Sequence, residues 1–196
     1  SLTNRALICA AMAGGRSELT GALRSEDTAV MIESLRRCGV TIDELDAGRT
    51  IKIDGATRHT DLRSQHDLFI ANSGTSVRFL TAALSAAGGR YRLHGVERMH
   101  QRPIADLVDA LSEVQIGEIS AESSGGCPPV LIDSEGWNRR PVRVGGSVSS
   151  QYLSGLMMAA PVAVAGRAVA GSGPDSHSRD ESSEANHTEV QIDVIG

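Results

Sequence analysis

One short pattern recurs three times along the chain at intervals of 73 residues, and this internal repeat limits the folds open to it. Each copy begins with small hydroxyl-bearing residues, continues with one long polar side chain and ends in a charge-free apolar run. The copies are residues 1–7, 74–80 and 147–153. The long polar side chains are Arg5, Arg78 and Gln151. Self-similarity at a fixed period indicates that one structural unit is repeated. The sequence therefore predicts three similar helix starts, able to converge on one ligand.

The apolar run in each copy predicts a buried helix. Residues 6–13, 79–87 and 152–160 are apolar or small on every face, and a helix without a polar face is normally buried. A Gly-Gly pair follows the first two runs and ends the helix. A strand-like segment comes next, residues 17–23 in the first unit and 91–96 in the second. Each unit therefore places a strand directly after its buried helix.

An amphipathic helix and further strands complete the predicted unit. Ile104, Leu107 and Leu111 have helical spacing, and Met31 and Leu35 take their place in the first unit. Alternating polar and apolar residues predict strands at Thr50–Asp54, Pro129–Asp133 and Val190–Ile195. We therefore expect an α/β fold in one domain. Its three repeats cover about residues 1–66, 67–139 and 140–196.

Composition excludes several classes of partner. A net charge of -5 and an aromatic content of 3% argue against nucleic-acid binding, which needs a basic surface and stacking rings. The longest uncharged run, residues 144–166, is interrupted by Gly155 and Pro161, so no membrane span is predicted. The three cysteines have neither metal-ligand nor disulfide spacing. We expect a cytoplasmic protein without nucleic-acid or membrane partners.

The third unit departs from the repeat. A polar tract over residues 171–187 predicts a loop, and its histidines and acids lack the spacing of metal ligands. The amphipathic helix that the repeat requires does not follow Val190–Ile195. Ser1 stands where a helix cap is expected, with no strand before it. We expect the sequence to be cut at both ends from a longer protein.

The three predicted helix starts favour anion binding. A helix N-terminus presents free backbone N–H groups and the positive end of the helix dipole. Arg5 and Arg78 add guanidinium groups that can bind phosphate or carboxylate through two hydrogen bonds. In the alternative interpretation the serines and threonines only cap the helices, and the arginines are surface residues. Threefold recurrence favours binding, and the predicted ligand is a phosphorylated, hydroxyl-rich small molecule.

Four motifs together resemble the 5-enolpyruvylshikimate-3-phosphate synthase family. They are residues 1–6, 72–78, 98–103 and 147–151, in the family's order. The resemblance implies an inside-out α/β barrel-type domain of three repeated strand–helix units, with buried helices and outer sheets. It also implies a second, catalytic domain that is absent from this chain. The implied reaction, in aromatic amino acid biosynthesis, transfers the enolpyruvyl group of phosphoenolpyruvate to the 5-hydroxyl of shikimate 3-phosphate and releases phosphate. It implies no cofactor and no metal.

The resemblance also assigns residues to the two substrates. Those expected to contact shikimate 3-phosphate are Ser1, Arg5, Ser149, Ser150 and Gln151. Those expected to contact phosphoenolpyruvate or to shape its pocket are Asn72, Gly74, Thr75, Arg98 and Gln151. Catalytic residues are expected in the missing domain and immediately before Ser1, where the family has a lysine. The chain is thus expected to supply the shikimate-3-phosphate-binding half of a site, with a complementary C-terminal domain as its partner.

Two alternatives stay open. A UDP-sugar enolpyruvyl transferase has the same fold, although the motifs at residues 98–103 and 149–151 favour the shikimate enzyme. The chain can also be a catalytically inert binding fragment. Competition between the two acceptors for binding would separate the first alternative from the shikimate enzyme.

Overall fold

Each copy of the repeated pattern opens a helix. The computed structural model of the chain describes residues 2–55, 64–138, 140–145, 149–170 and 189–195, with residues 165–170 described by their backbone alone. The helices are α1 (Leu2–Met12), α2 (Glu26–Arg37), α3 (Gly74–Ala87), α4 (Ala105–Ser112) and α5 (Ser150–Ala170). The strands are β1 (Arg16–Thr20), β2 (Thr41–Leu45), β3 (Thr50–Asp54), β4 (Gln65–Phe69), β5 (Gly89–His94), β6 (Gln115–Ser123), β7 (Cys127–Trp137), β8 (Val142–Gly145) and β9 (Ile192–Ile195). The predicted α/β class is therefore confirmed.

The two larger sheets share a strand order. One sheet has the order β1-β3-β2 and is antiparallel throughout; the other has the order β4-β5-β7-β6. Strands β5, β7 and β6 pair with one another as β1, β3 and β2 do. Strand β4 runs parallel to β5, with α3 connecting them, and β8 runs parallel to β9 after α5. Parallel neighbours need such a crossover, so the first two units and the start of the third have one topology.

Helix α3 lies at the centre of the fold. Every residue from Gly74 to Ala86 is buried except Arg78. Helices α1, α2, α4 and α5 all contact it, and its small side chains allow close approach. A Cβ atom on Gly155 of α5 would lie 3.4 Å from the Cβ atom of Ala82 in α3. The sheets lie outside these helices, and charged residues line their outer faces, as expected for buried helices and outer sheets.

The three repeat helices, predicted to be buried, are buried to different extents: α3 almost completely, and α1 and α5 on one side. Cys9 of α1 is exposed, and Met157 of α5 is 61% exposed. Both helices pack against α3 on one side, and an apolar groove of about 380 Å³ separates them on the other. The lack of a polar face therefore did not specify complete burial.

The amphipathic helices form as predicted. Helix α2 begins at Ser25, whose hydroxyl accepts a hydrogen bond from the backbone N–H of Thr28 at 3.2 Å. Its first turn is acidic and its last turn is basic, an arrangement that the helix dipole stabilises. It buries Met31 and Leu35, and α4 buries Leu107 and Leu111 at the predicted spacing. These helices pack against α3 and fix its orientation.

Helix α5 is longer than the sequence indicated. It passes through Pro161 and ends at Ala170, although proline lacks the N–H that a helix interior uses. Leu156 and Ala159 before the proline and Ala163 after it are buried, so packing favours the helix on both sides of the proline. Among the described helices, none combines the length and apolar character needed to cross a membrane. The polar tract at 171–187, predicted as a loop, lies outside the described residues.

Candidate functional site

The starts of α1 and α3 meet where an arginine lies on an aromatic ring. The guanidinium carbon of Arg5 is 5.6 Å from the centroid of the Phe79 ring, within the range of cation–π attraction. Phe79 is fully buried in α3, so its ring is a fixed support. Arg5 is half-buried and makes no hydrogen bond or ion pair with the described residues. Its N–H groups are therefore available to a ligand.

The starts of α3 and α5 are joined by hydrogen bonds as well as by a ring contact. Arg78 Nη1 donates to the side-chain oxygen Oε1 of Gln151 and to the carbonyl oxygen of Gly74, both at 3.0 Å. The Arg78 guanidinium carbon lies 5.4 Å from the centroid of the Tyr152 ring. Because an arginine only donates, the Gln151 oxygen must face Arg78. The amide NH₂ of Gln151 is then free to donate to a ligand.

The turn before α3 is held by a second arginine, Arg102. Its Nη1 donates to the carbonyl oxygen of Asn72 at 3.2 Å. A Cβ atom on Gly74 would collide with Arg102 Nη1 and lie 2.9 Å from Arg78 Nη1. Only glycine leaves room for both guanidinium groups at the first residue of the helix. Ala71 has a φ of 48°, so the turn is also strained.

Arg98 lies on a loop that contacts this turn. It belongs to a short 3₁₀ helix, Glu97–Gln101, anchored by the buried Met99. The backbone N–H of Val96 donates to the carbonyl oxygen of Ala71 at 3.1 Å, which joins the loop to the turn. The Arg98 side chain is exposed and, within the described part of the chain, makes no hydrogen bond or ion pair.

Several hydroxyl groups at the helix starts are occupied within the protein. Thr3 Oγ1 accepts from the backbone N–H of Leu23 at 3.1 Å, and Ser73 Oγ accepts from Ser76 N–H at 3.2 Å. Ser149 Oγ accepts from the N–H of Gln151 at 3.3 Å. These hydroxyls therefore cap or brace the chain, as the alternative interpretation expects of them. Arg5 and Arg78 are half-buried over aromatic rings, unlike the surface residues of that interpretation.

The structure brings some of the predicted site residues together and leaves others apart. One group lies around the starts of the three helices, and we call it the helix-start cluster: Arg5, Asn72, Gly74, Arg78, Arg102 and Gln151. Arg5 is joined to the others through Phe79, the neighbour of Arg78 in α3. Thr75 is buried beside it, 8% exposed. Ser150 and Arg98 are exposed, without side-chain contacts to the cluster. Ser1 lies outside the described residues.

Sequence reasoning gave no role to Arg102. Its motif, residues 98–103, was recognised, but Arg98 alone was assigned to a substrate. The signal available was the position of Arg102 directly before Pro103, at the end of a loop rich in cations. Its contact with Asn72 spans 30 residues and is not visible in local spacing.

The charge of the cluster is positive and uncompensated. None of the helices α1, α3 and α5 has an acidic residue in its first turn, whereas α2 has two. None of the three cluster arginines forms an ion pair with a described residue. Free N–H groups of the helix starts add to this field. The arrangement therefore suits an anion with several oxygen atoms.

Metal and thiol chemistry have no support in the described residues. No group of three or more histidine, cysteine or acidic side chains there could hold a metal ion. Burial raises the pKa of the Cys38 thiol to about 12, so it stays protonated near neutral pH and is no nucleophile. The histidines of the 171–187 tract lie outside the described residues.

Comparisons with known proteins identify the family of the chain. A sequence profile of the family described as EPSP synthase (3-phosphoshikimate 1-carboxyvinyltransferase) matches residues 1–184. The 3-phosphoshikimate 1-carboxyvinyltransferase of Bordetella pertussis is 50% identical over 165 residues, which are 83% of this chain and 36% of that enzyme. The protein of the same name from Burkholderia cenocepacia is 45% identical over 163 residues, 83% of this chain and 37% of that enzyme.

A solved structure shows the same fold. The EPSP synthase from Acinetobacter baumannii superimposes with a TM-score of 0.70 at 26% identity, and covers 83% of this chain and 36% of its own. The chain thus spans 36% to 37% of the length of these relatives, roughly a third. The profile match covers most of the sequence and includes the whole helix-start cluster. The chain belongs to the EPSP synthase family.

Proposed function

We propose that this chain supplies the shikimate-3-phosphate-binding half of an enolpyruvyl transferase site. Its three repeats form one substrate-binding domain, and a complementary domain supplies the rest. The single observation that carries the proposal joins one long polar side chain from each repeat: Arg78 donates to Gln151, and Arg5 lies over Phe79, the neighbour of Arg78 in α3. Neither arginine forms an ion pair with a described residue. Because a half-buried cation without a counter-ion is costly, a ligand that supplies the negative charge stabilises this arrangement.

Shikimate 3-phosphate matches the donors at the starts of α1 and α5. Arg5 offers a guanidinium group that makes no hydrogen bond or ion pair with the described residues, which suits a phosphate. The free NH₂ of Gln151 and the exposed hydroxyl of Ser150 suit the ring hydroxyls. We also assign Ser149 and Ser1 to shikimate 3-phosphate, because Ser149 directly precedes Ser150 and Ser1 directly precedes α1.

Phosphoenolpyruvate fits the start of α3. The first residue of that helix is Gly74, whose missing side chain leaves the space beside the helix start to the guanidinium groups of Arg78 and Arg102. An anion there meets two cations as well as the positive end of the helix. Asn72 and Thr75 border this position, and Arg98 lies on the loop that contacts the same turn. A carboxylate and a phosphate on one small molecule can then be held by several cations at once.

The proposed reaction needs groups beyond this chain. A proton adds to the methylene carbon of phosphoenolpyruvate while the 5-hydroxyl oxygen of shikimate 3-phosphate bonds to the neighbouring carbon and loses its proton. The bond from that carbon to the phosphate oxygen then breaks, a methyl proton leaves, and the enol ether forms with release of phosphate. Such steps need a positioned acid and base, and the described residues offer none within the cluster. We propose that the chain binds substrates and does not turn over alone.

Titration calorimetry with shikimate 3-phosphate tests the proposal. We expect saturable binding by the folded chain, and tighter binding of phosphoenolpyruvate once shikimate 3-phosphate is present. A folded chain that releases no heat with shikimate 3-phosphate at millimolar concentration would contradict the proposal and favour an inert fragment. A UDP-sugar that displaces shikimate 3-phosphate would favour the other transferase. Phosphate release by the chain alone would overturn the half-site assignment while keeping the substrate.

A further inference from the structure

We infer that Phe79 and Tyr152 are positioning residues: each holds the arginine of the preceding repeat over its ring and leaves the charge of that arginine free for a ligand. The inference rests on the proposed function for the identity of the ligand. The sequence alone indicates only core packing for these two rings, because both belong to apolar helical runs. Their place under two guanidinium groups is visible only in the structure.

The two contacts are copies of one another. Arg5 lies over Phe79 with 5.6 Å from guanidinium carbon to ring centroid, and Arg78 lies over Tyr152 at 5.4 Å. In each case the ring is the residue directly after the long polar side chain of the next repeat. A coincidental contact has no reason to recur at the same register. The recurrence indicates one device used twice.

The repeat also shows which copies take part in the arginine–ring contacts. The third long polar side chain is Gln151, which carries no charge, and the residue that follows Arg5 in the first copy is Ala6, which has no ring. The two repeats that contribute a cation are thus each followed by a repeat that contributes a ring. An aromatic ring is therefore present only where the preceding repeat supplies an arginine.

An aromatic support differs from the supports used elsewhere in the molecule. Arginines on α2 and the outer sheets are held by carboxylates; the pairs are Arg16–Asp54, Arg36–Glu44, Arg37–Glu33, Arg90–Asp133 and Arg92–Asp67. A carboxylate fixes a guanidinium group but cancels its charge and occupies its N–H donors. A ring attracts the face of the group and neither cancels its charge nor occupies the donors at its edge, one of which, Nη1 of Arg78, binds the neutral oxygens of Gly74 and Gln151. Only the second kind of support is compatible with binding an anion.

Both rings are themselves held firmly. Phe79 is 0% exposed and Tyr152 is 4% exposed. The Tyr152 hydroxyl donates to the carbonyl oxygen of Pro103 at 2.9 Å. Because Arg78 also donates to the oxygen of Gln151, the ring of Tyr152 indirectly fixes the amide of Gln151. Loss of the ring should therefore disturb two of the ligand's partners.

Two pairs of variants separate positioning from stability. Tyr152→Phe keeps the ring and loses the hydrogen bond to Pro103, whereas Tyr152→Leu loses both. Phe79→Leu removes the other ring. The double variant with Phe79→Leu and Arg5→Ala tests whether the Phe79 ring acts through Arg5. Affinity for shikimate 3-phosphate is measured by titration calorimetry, and stability by thermal unfolding of the same samples.

We expect Tyr152→Phe to lower the unfolding temperature but to keep the affinity within roughly twofold. Phe79→Leu and Tyr152→Leu should each weaken binding about tenfold, the size of a partly desolvated cation–π contact. In the Arg5→Ala background, Phe79→Leu should add less than about twofold. Affinity that follows the unfolding temperature across all variants, or an undiminished effect of Phe79→Leu without Arg5, would overturn the inference.

A measurement without ligand keeps the two proposals distinct. A guanidinium group over a ring has shifted NMR resonances, so the side-chain signals of Arg5 should move in Phe79→Leu, and those of Arg78 in Tyr152→Leu but not in Tyr152→Phe. If the chain fails to bind shikimate 3-phosphate, the proposed function fails and these signals alone decide the role of the rings. Arginine signals unmoved by either leucine variant would refute it.

Discussion

The outer sheets and the helix-start cluster use arginine in opposite ways. On the sheet that contains β5 and β7, Arg90 pairs with Asp133 at 3.0 Å, and both side chains are more than half exposed. In the cluster, Arg5 and Arg78 are half-buried and rest on rings, without carboxylates. Exposed ion pairs contribute little to stability, so the first kind chiefly keeps the outer surface soluble. The second kind keeps charge that folding does not need, and this supports the proposed binding site.

The strongest test of this contrast exchanges one arginine in each region for alanine. We expect Arg5→Ala to weaken shikimate 3-phosphate binding about 100-fold, since a charge-assisted contact to phosphate contributes about 2–3 kcal/mol. Its unfolding temperature should stay close to that of the native chain. Arg90→Ala is the matched control, and it should change neither affinity nor stability by more than about 0.5 kcal/mol. Equal effects of the two changes in calorimetry would remove the distinction between the regions.

A smaller effect is expected where the cluster meets the start of α3. Gly74→Ala places a Cβ atom against the Nη1 atoms of Arg78 and Arg102. Both are the far ends of flexible side chains, so the protein should fold while the two guanidinium groups move apart. We expect phosphoenolpyruvate affinity, measured with shikimate 3-phosphate present, to fall about tenfold.

Gly14→Ala is the control for this change, because a Cβ atom there meets nothing within 4 Å. It should leave both affinities unaltered. An unchanged phosphoenolpyruvate affinity in Gly74→Ala would show that the close approach at this glycine serves packing alone.

Much of the cluster could be anticipated from sequence, because its members repeat. The register of Arg5, Arg78 and Gln151 was visible as spacing, and the helices that begin there formed as predicted. The spacing of Leu107 and Leu111 likewise fixed α4. The contacts of these arginines with rings were not visible, because each joins residues in different repeats.

The outer strands were harder to predict, because their local sequence carries only a weak pattern. Strand β3 was predicted to the residue, but β2, β4, β6 and β8 were missed. Strand β4 has the sequence from Gln65 to Phe69, in which only Leu68 is fully buried, and β6 exposes Ile116. Strands β2, β4 and β6 lie at sheet edges and face water over much of their surface, so their apolar alternation is weak. Strand β8 does alternate, but it has only four residues. The sequence also did not show that α1 and α5 are less buried than α3, because burial depends on which neighbours cover a helix.

Arg102 belongs to the cluster but contacts the backbone and not a ring. Arg102→Ala removes the bond to the Asn72 carbonyl and should lower phosphoenolpyruvate affinity about fivefold, the value of roughly 1 kcal/mol for one hydrogen bond. Arg102→Lys keeps the charge and should recover part of the loss. Affinity for shikimate 3-phosphate, whose proposed partners lie on α1 and α5, should hardly change. A parallel fall in both affinities would instead assign Arg102 a general role in folding.

The smallest expected effect comes from a third kind of ionisable group, one that folding keeps neutral. Burial raises the pKa of Cys38 from 9.0 to about 12. Between these values the unfolded chain loses the thiol proton while the folded chain keeps it, so the free energy of unfolding falls as pH rises above 9. The contribution of Cys38 should be about 0.8 kcal/mol at pH 9.5, and denaturant unfolding at pH 8 and 9.5 measures it. Cys38→Ala should flatten this dependence by that amount, and Cys9→Ala, which removes an exposed thiol, should not. If both variants keep the native slope, desolvation of Cys38 is not linked to stability.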